Sequence, residues 1–214
     1  MQAEILENLK KAVLEYDTKG AASWARKAVE EKINPIKALD TLTEAIREVG
    51  NGFGRGELFL PELVGAADAL QSATPILEEE IKKIGAKRES VATVVVGTVF
   101  GDIHNIGKSM VCTLLTADGF EVIDLGINVE AERFVEAVKK YKPGILAMSA
   151  LLTMFTLEQK KVIEALKKED IRDKVKIMVG GGAISEQFAK SIGADGYAPT
   201  APEAVKLARG LIGK

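Results

Sequence analysis

The single histidine of this 214-residue chain, His104, stands two residues after Asp102 in the glycine-rich stretch 97–109. At that spacing, in an irregular loop, the aspartate carboxylate can accept the Nδ1 proton and leave Nε2 free as a metal ligand. Such a carboxylate fixes the tautomer and raises the basicity of the ligating nitrogen. Gly107 then lets the chain enter the next helix with nothing bulky facing a ligand. The same residues also read as a loop histidine beside a capping aspartate, because one His and one Asp make no closed metal cage. A third reading is a phosphate loop ending in Gly107-Lys108-Ser109, with Asp124 at the end of a later strand as its magnesium partner. That pattern needs four residues between its first glycine and the Gly-Lys pair, whereas Gly101 to Gly107 encloses five. Asp102 would moreover aim a carboxylate into a cradle meant for phosphate. Cys112 is the only cysteine, which excludes an internal disulfide and leaves too little sulfur for a thiolate metal site. It reads as a small buried hydrophobe within a helix.

The elements that must position this loop change character along the chain. From residue 91 onward, apolar runs at 91–97, 120–125, 144–149, 176–180 and 195–197 alternate with helical patterns at 107–118, 130–140, 156–169, 185–192 and 201–212. That alternation predicts an α/β domain, a flavodoxin- or Rossmann-like doubly wound parallel sheet of strand order 2-1-3-4-5. Ligands of such sheets sit beyond the carboxyl ends of the strands where the order reverses, which selects the loops after Gly97, Ser149 and Gly180.

Residues 2 to about 85 read instead as four helices making a small antiparallel bundle. Ile5, Leu6, Leu9, Ala12, Val13 and Tyr16 form the first apolar stripe. A short second helix, 21–32, turns Trp24, Ala25, Ala28 and Val29 inward. Asn34 followed by Pro35 starts a third, which buries Leu39, Leu42, Ala45, Ile46 and Val49. It is expected to stop at Gly50, where the glycines of 50–56 make helix costly. A fourth begins near Pro61, carries Leu63, Val64, Ala67, Leu70, Ile76, Leu77, Ile81 and Ile84, and is a candidate for a kink at Pro75. The charged stretch 82–90 reads as the linker, dividing the chain into 1–86 and 87–214.

With 29 basic against 31 acidic residues and a formal charge of −2, no electrostatic footprint for nucleic acid or an anionic membrane stands out. No apolar run reaches the ~20 residues needed to span a bilayer. The N-terminal residues are amphipathic rather than signal-like, so the expected compartment is the cytoplasm.

The spacing of three elements resembles the cobalamin-binding domains of corrinoid-dependent methyltransferases, including the cobalamin module of methionine synthase, and of some carbon-skeleton mutases. Their pattern is Asp-x-His-x-x-Gly, Ser-x-Leu and Gly-Gly. Here Asp102-Ile103-His104-Asn105-Ile106-Gly107 is followed after 41 residues by Ser149-Ala150-Leu151, and after 28 more by Gly180-Gly181. The resemblance implies base-off, histidine-on binding: the cofactor's own base leaves cobalt, His104 replaces it as the metal ligand, and Asp102 partners His104 in the catalytic pair. Ser149 would hydrogen-bond the displaced base, Leu151 would pack on it, and Gly180 and Gly181 would make room for the tail. Corrinoid methyltransferase modules also place a helical bundle over the upper corrin face, where a phenylalanine and a leucine seven residues apart shield the methyl group. Phe53 and Leu60 match that pair, which makes 1–86 a methyl-cap bundle. In the methionine synthase branch a serine six residues after the Ser-x-Leu serine completes a relay with the aspartate. That position is Phe155 here, leaving Thr153 or Thr156 as the alternative hydroxyl. The likeness spans residues 3 to 212.

The function so implied is a corrinoid carrier using methylcobalamin and its cobalt, one component of a multi-protein methyltransferase system rather than a complete enzyme. Its partners would be a substrate-specific corrinoid methyltransferase, an acceptor methyltransferase serving a folate, pterin or thiol, and a reductive activase. The cap must swing aside for transfer, with 82–90 as hinge. Two alternatives share the motif: the small subunit of an adenosylcobalamin mutase, which lacks the Phe53/Leu60 cap, and a corrinoid-sensing regulator, which would want a basic recognition helix.

Overall fold

The computed structural model describes residues 2–85 and 90–213, and the chain divides into two compact units, Met1–Glu89 and Ser90–Lys214. In the first, four helices pack on one another: α1 (Gln2–Leu14), α2 (Thr18–Glu30), α3 (Pro35–Gly54) and α4 (Leu60–Lys83). Side chains supply the missing partners of the helix starts. Asp17 accepts from the Gly20 N–H, Asn34 from the Ile36 N–H ahead of Pro35, and Glu62 reaches back to the Phe59 N–H. Ile5, Leu9, Leu42, Ile46, Leu63 and Leu77 are fully buried. α2 and α4 pack together, and their buried positions are rich in alanine.

Several expectations for this unit are corrected. α3 continues through Gly50 to Gly54, because a penalty of about 1 kcal/mol per glycine is small beside the burial of Val49 and the close approach of Leu58 to Gly52. The helix ends instead at Gly54, with Arg55 as its C-cap and Gly56 just beyond, where a φ of +74° suits glycine. Tyr16 lies past the end of α1 with φ +63° and does not continue its stripe. Trp24, Val29 and Ile76 are only half-buried, while Val64 and Ile84 are exposed. α4 is one helix through Pro75 and includes Lys82 and Lys83. Of the linker expected at 82–90, residues 86–89 lie outside the described residues.

In the second unit β1 (Thr93–Thr98), β2 (Glu121–Asp124), β3 (Ile145–Ser149), β4 (Lys176–Gly180) and β5 (Gly196–Tyr197) form one all-parallel sheet of order 2-1-3-4-5. Between and after them run α5 (Ile106–Ala117), α6 (Ala131–Tyr141), α7 (Thr156–Lys168), α8 (Glu186–Ile192) and α9 (Ala201–Leu211). The central strands are buried on both faces, as parallel strands covered by helices must be. One core layer holds Val95, Leu146, Met148, Ile177 and Val179 with Phe134, Val162 and Ile163 of α6 and α7. The other holds Val94, Val96, Ile145, Ala147 and Met178 with Leu115 of α5 and Ala204 and Ala208 of α9. Register aligns Thr98 with Ser149 and Ser149 with Gly180, so the carboxyl ends of β1, β3 and β4 finish in line.

Candidate functional site

The loop 99–105 between β1 and α5 is held from three directions. Thr98, fully buried at the strand end, donates its hydroxyl to the His104 carbonyl at 3.2 Å. Gly101, at φ +81°, packs under the Phe155 ring; an added Cβ would lie 2.7 Å from Phe155 Cε1. Asn128, in the loop after β2, accepts from the Gly101 N–H at 2.7 Å and donates its own N–H to the Asp102 carbonyl at 2.9 Å.

Asp102 is completely buried, whereas 46% of the His104 side chain is exposed. Asp102 Oδ1 accepts from the His104 N–H at 2.9 Å and stands 2.6 Å from Nδ1; Oδ2 accepts from the Leu151 N–H at 2.6 Å. Burial alone would push this carboxyl up. The two backbone N–H groups of His104 and Leu151, then the His104 ring, outweigh it and hold the carboxyl below the usual range. An ionised oxygen this close to Nδ1 requires a hydrogen between them, so a neutral imidazole keeps its free lone pair on Nε2. Among the described residues no group of three or more His, Cys, Asp or Glu could hold a metal ion. His104 thus offers one oriented donor, which fits a metal whose other ligands come with it, as in a macrocycle, and not a bare ion.

The expected companions converge on the same strand ends. Ser149 closes β3, two positions beyond Ala147, and so points to the face covered by α5 and α9. Leu151 is partly exposed just after it. Gly181 is demanded by its own backbone: φ is +120°, and a Cβ would fall 2.0 Å from the Ala150 carbonyl oxygen. A Cβ on Gly180 would lie 3.1 Å from the Ala198 carbonyl oxygen, while one on Gly107 would meet nothing within 4 Å. Of the motif glycines, then, Gly107 alone has open space around it. Thr153 is exposed in a short 3-10 turn, Thr153–Phe155, and the Thr156 hydroxyl is spent on the Thr153 carbonyl at 2.9 Å. The second oxygen of Asp102 therefore meets a backbone N–H where a relay would want a hydroxyl. In the helical unit, Phe53 lies within α3 and Leu60 opens α4, both half-buried.

Lys108 is 4% exposed and paired with Asp124, so the two groups a phosphate loop would have used neutralise each other. Cys112 lies one turn beyond, its thiol pushed up to about 12 by burial and the Asp124 carboxylate, with Lys108 opposing. Sequence reasoning missed the Leu151 N–H, Asn128, the Lys108–Asp124 pair and Gln159. Gln159, fully buried on α7, donates to the carbonyls of Met148 and Gly180 and leaves its own Oε1 without a partner. A polar residue inside the apolar stripe of 156–169 was the available signal for the last of these.

Comparison with known proteins follows this geometry. Residues 92–206 match one B12 binding domain family and residues 5–78 a second. A corrinoid protein of Desulfitobacterium hafniense (strain Y51) is 41% identical over the whole of both chains. The trimethylamine corrinoid protein of Methanosarcina barkeri is 40% identical over 94% of each. A chain in the crystal structure of the methanol:cobalamin methyltransferase complex from Methanosarcina barkeri superposes with a TM-score of 0.86 at 32% identity, covering 98% of this chain and 80% of that one. The buried Asp102 carboxylate beneath a half-exposed His104 at the head of a 2-1-3-4-5 sheet, the helical unit before it and these matches lead to one conclusion: the chain belongs to the B12-binding corrinoid proteins of methyltransferase systems.

Proposed function

We propose that this chain is a methyl carrier that would hold a corrinoid through His104 Nε2 as the metal ligand and pass a methyl group between two methyltransferases. The observation that carries the reading is the Asp102–His104 contact at 2.6 Å, with the carboxylate buried and the imidazole open to solvent. When bound, the corrinoid supplies a cobalt centre that accepts and gives up a methyl group. The protein does the rest. Asp102 holds the Nδ1 proton and aims Nε2; Gly107 leaves space beside it; Ser149, Leu151 and Thr153 line the exit from β3, on the side where a displaced base would lie. Gly180 and Gly181 shape the neighbouring strand end. Phe53 and Leu60 would exclude water from the methyl face, the helical unit acting as the cap.

The relatives named for trimethylamine and methanol systems support a methylated amine or alcohol as the source of the methyl group, loaded by a substrate-specific methyltransferase. Unloading would go to a second methyltransferase serving a folate, pterin or thiol, with a reductive activase restoring oxidised cobalt, all in the cytoplasm. The test is to bind methylcobalamin to wild type and to His104→Gly. Wild type is expected to show a base-off, histidine-ligated visible spectrum; the variant is expected to retain corrinoid but lose that spectrum and transfer methyl more slowly. A spectrum unchanged by the substitution overturns the ligation. Preference for adenosylcobalamin without methyl release would favour a mutase subunit instead.

A further inference from the structure

We propose that Asn128 is a positioning residue for His104, fixing the direction in which the imidazole meets cobalt; this rests on the ligation proposed above. Asn128 sits in the loop between β2 and α6 at φ +53°, a left-handed conformation that asparagine adopts more readily than most residues. It clasps the peptides on either side of the one joining Gly101 and Asp102. Its Oδ1 accepts from the Gly101 N–H at 2.7 Å, and its N–H donates to the Asp102 carbonyl at 2.9 Å. The flanking residues extend the seam, with the Thr98 N–H on the Gly126 carbonyl and the Val129 N–H on the Thr98 carbonyl.

Asp102 is thereby anchored at its carbonyl by Asn128, at its N–H by the Val99 carbonyl and at its carboxylate by Leu151, and the imidazole hangs from the oxygen that remains. A shift of the Gly101–Asp102 segment that Asn128 spans would carry that carboxylate, and with it Nε2, off line. Gly101 has no side chain of its own to resist such a shift, and Phe155 covers the face where one would stand. Only the Oδ1 contact in this set can be removed without altering Asp102, His104 or a backbone group. Asn128 is exposed, so water competes for the same donor. The loss expected is therefore modest, about 2- to 10-fold in the ratio of histidine-ligated to unligated cofactor, the range that one hydrogen bond supplies.

The experiment uses the full chain with Asn128→Gly, Asn128→Asp and His104→Gly, titrated with cobinamide, which lacks the nucleotide tail and so reports on the histidine alone. Asn128→Gly keeps the left-handed backbone and its N–H but deletes Oδ1; Asn128→Asp restores an acceptor. The proposal expects faster amide exchange at Gly101 in cofactor-free Asn128→Gly, a smaller histidine-ligated fraction in the visible spectrum, and recovery of both in Asn128→Asp. Faster exchange with an unchanged ligated fraction would reduce Asn128 to a loop support and overturn the proposal, as would unchanged exchange. If wild type and His104→Gly give the same cobinamide spectrum, the ligation itself fails, a result distinct from either.

Discussion

The glycines of the motif answer different demands, and substitution separates them. Gly181→Ala places a Cβ against the Ala150 carbonyl at a φ of +120°, so the cofactor-free protein should lose about 2–4 kcal/mol, read from denaturant melts. Gly107→Ala meets nothing and lies in the first turn of α5. It should leave stability unchanged or raise it by up to about 1 kcal/mol, while weakening corrinoid binding about tenfold or more, a loss of about 1.4 kcal/mol. Equal cobinamide affinity in that variant would show that the corrin keeps clear of Gly107. Cys112 makes a third test. Its thiol is raised to about 12 chiefly by burial, so iodoacetamide at pH 8 should leave it largely unmodified in the folded chain. The raised value means that the fold favours the protonated thiol while the unfolded chain ionises from about pH 8.5. The contribution is present below that pH and drains away as pH rises toward 12; Cys112→Ala should flatten this part of the stability curve.

Two buried polar arrangements brace the elements that carry the site, and they differ in what their loss should do. Lys108 ties the first turn of α5 to the end of β2 through Asp124, which also caps the Gly126 N–H. Lys108→Met would leave Asp124 with 40% of its side chain exposed and reachable by water. The cost should therefore be about 1–3 kcal/mol in urea unfolding, below the ~3–5 kcal/mol of a fully buried broken pair. Gln159→Met removes hydrogen bonds to Met148 and Gly180 but also removes the unpartnered Oε1, and Gly180 keeps its bond from the Ala150 N–H. The two effects oppose, so its stability should stay within about 1 kcal/mol of wild type. The strands and helices of the second unit were legible because a parallel sheet buried on both faces demands continuous apolar runs separated by amphipathic helices. The end of α3 was not legible: glycine cost is local, whereas the contact of Gly52 with Leu58 depends on how the chain returns after the helix.

The chain divides into two compact units, so heating should reveal whether they melt together or apart. Cobinamide at 100 times its Kd stabilises what it binds by about 2.7 kcal/mol. In calorimetry the transition of the sheet unit is expected to rise. If Phe53 and Leu60 shield the cofactor, the transition of the helical unit rises with it, and Phe53→Ala with Leu60→Ala abolishes that second shift. No helix among the described residues is long and apolar enough to cross a membrane.

Residue types and their separations sufficed for the strand order, for the three loops at the carboxyl ends and for the pairing of Asp102 with His104, since periodicity and motif spacing are properties of a line of letters. Folding in space settled what those letters touch. It gave the second Asp102 oxygen to the Leu151 backbone, turned Thr156 toward Thr153, closed Phe155 over Gly101 and brought Asn128 against a peptide 27 residues away. Hydrogen bonds between distant loops depend on how the strands align, and no local pattern encodes that alignment.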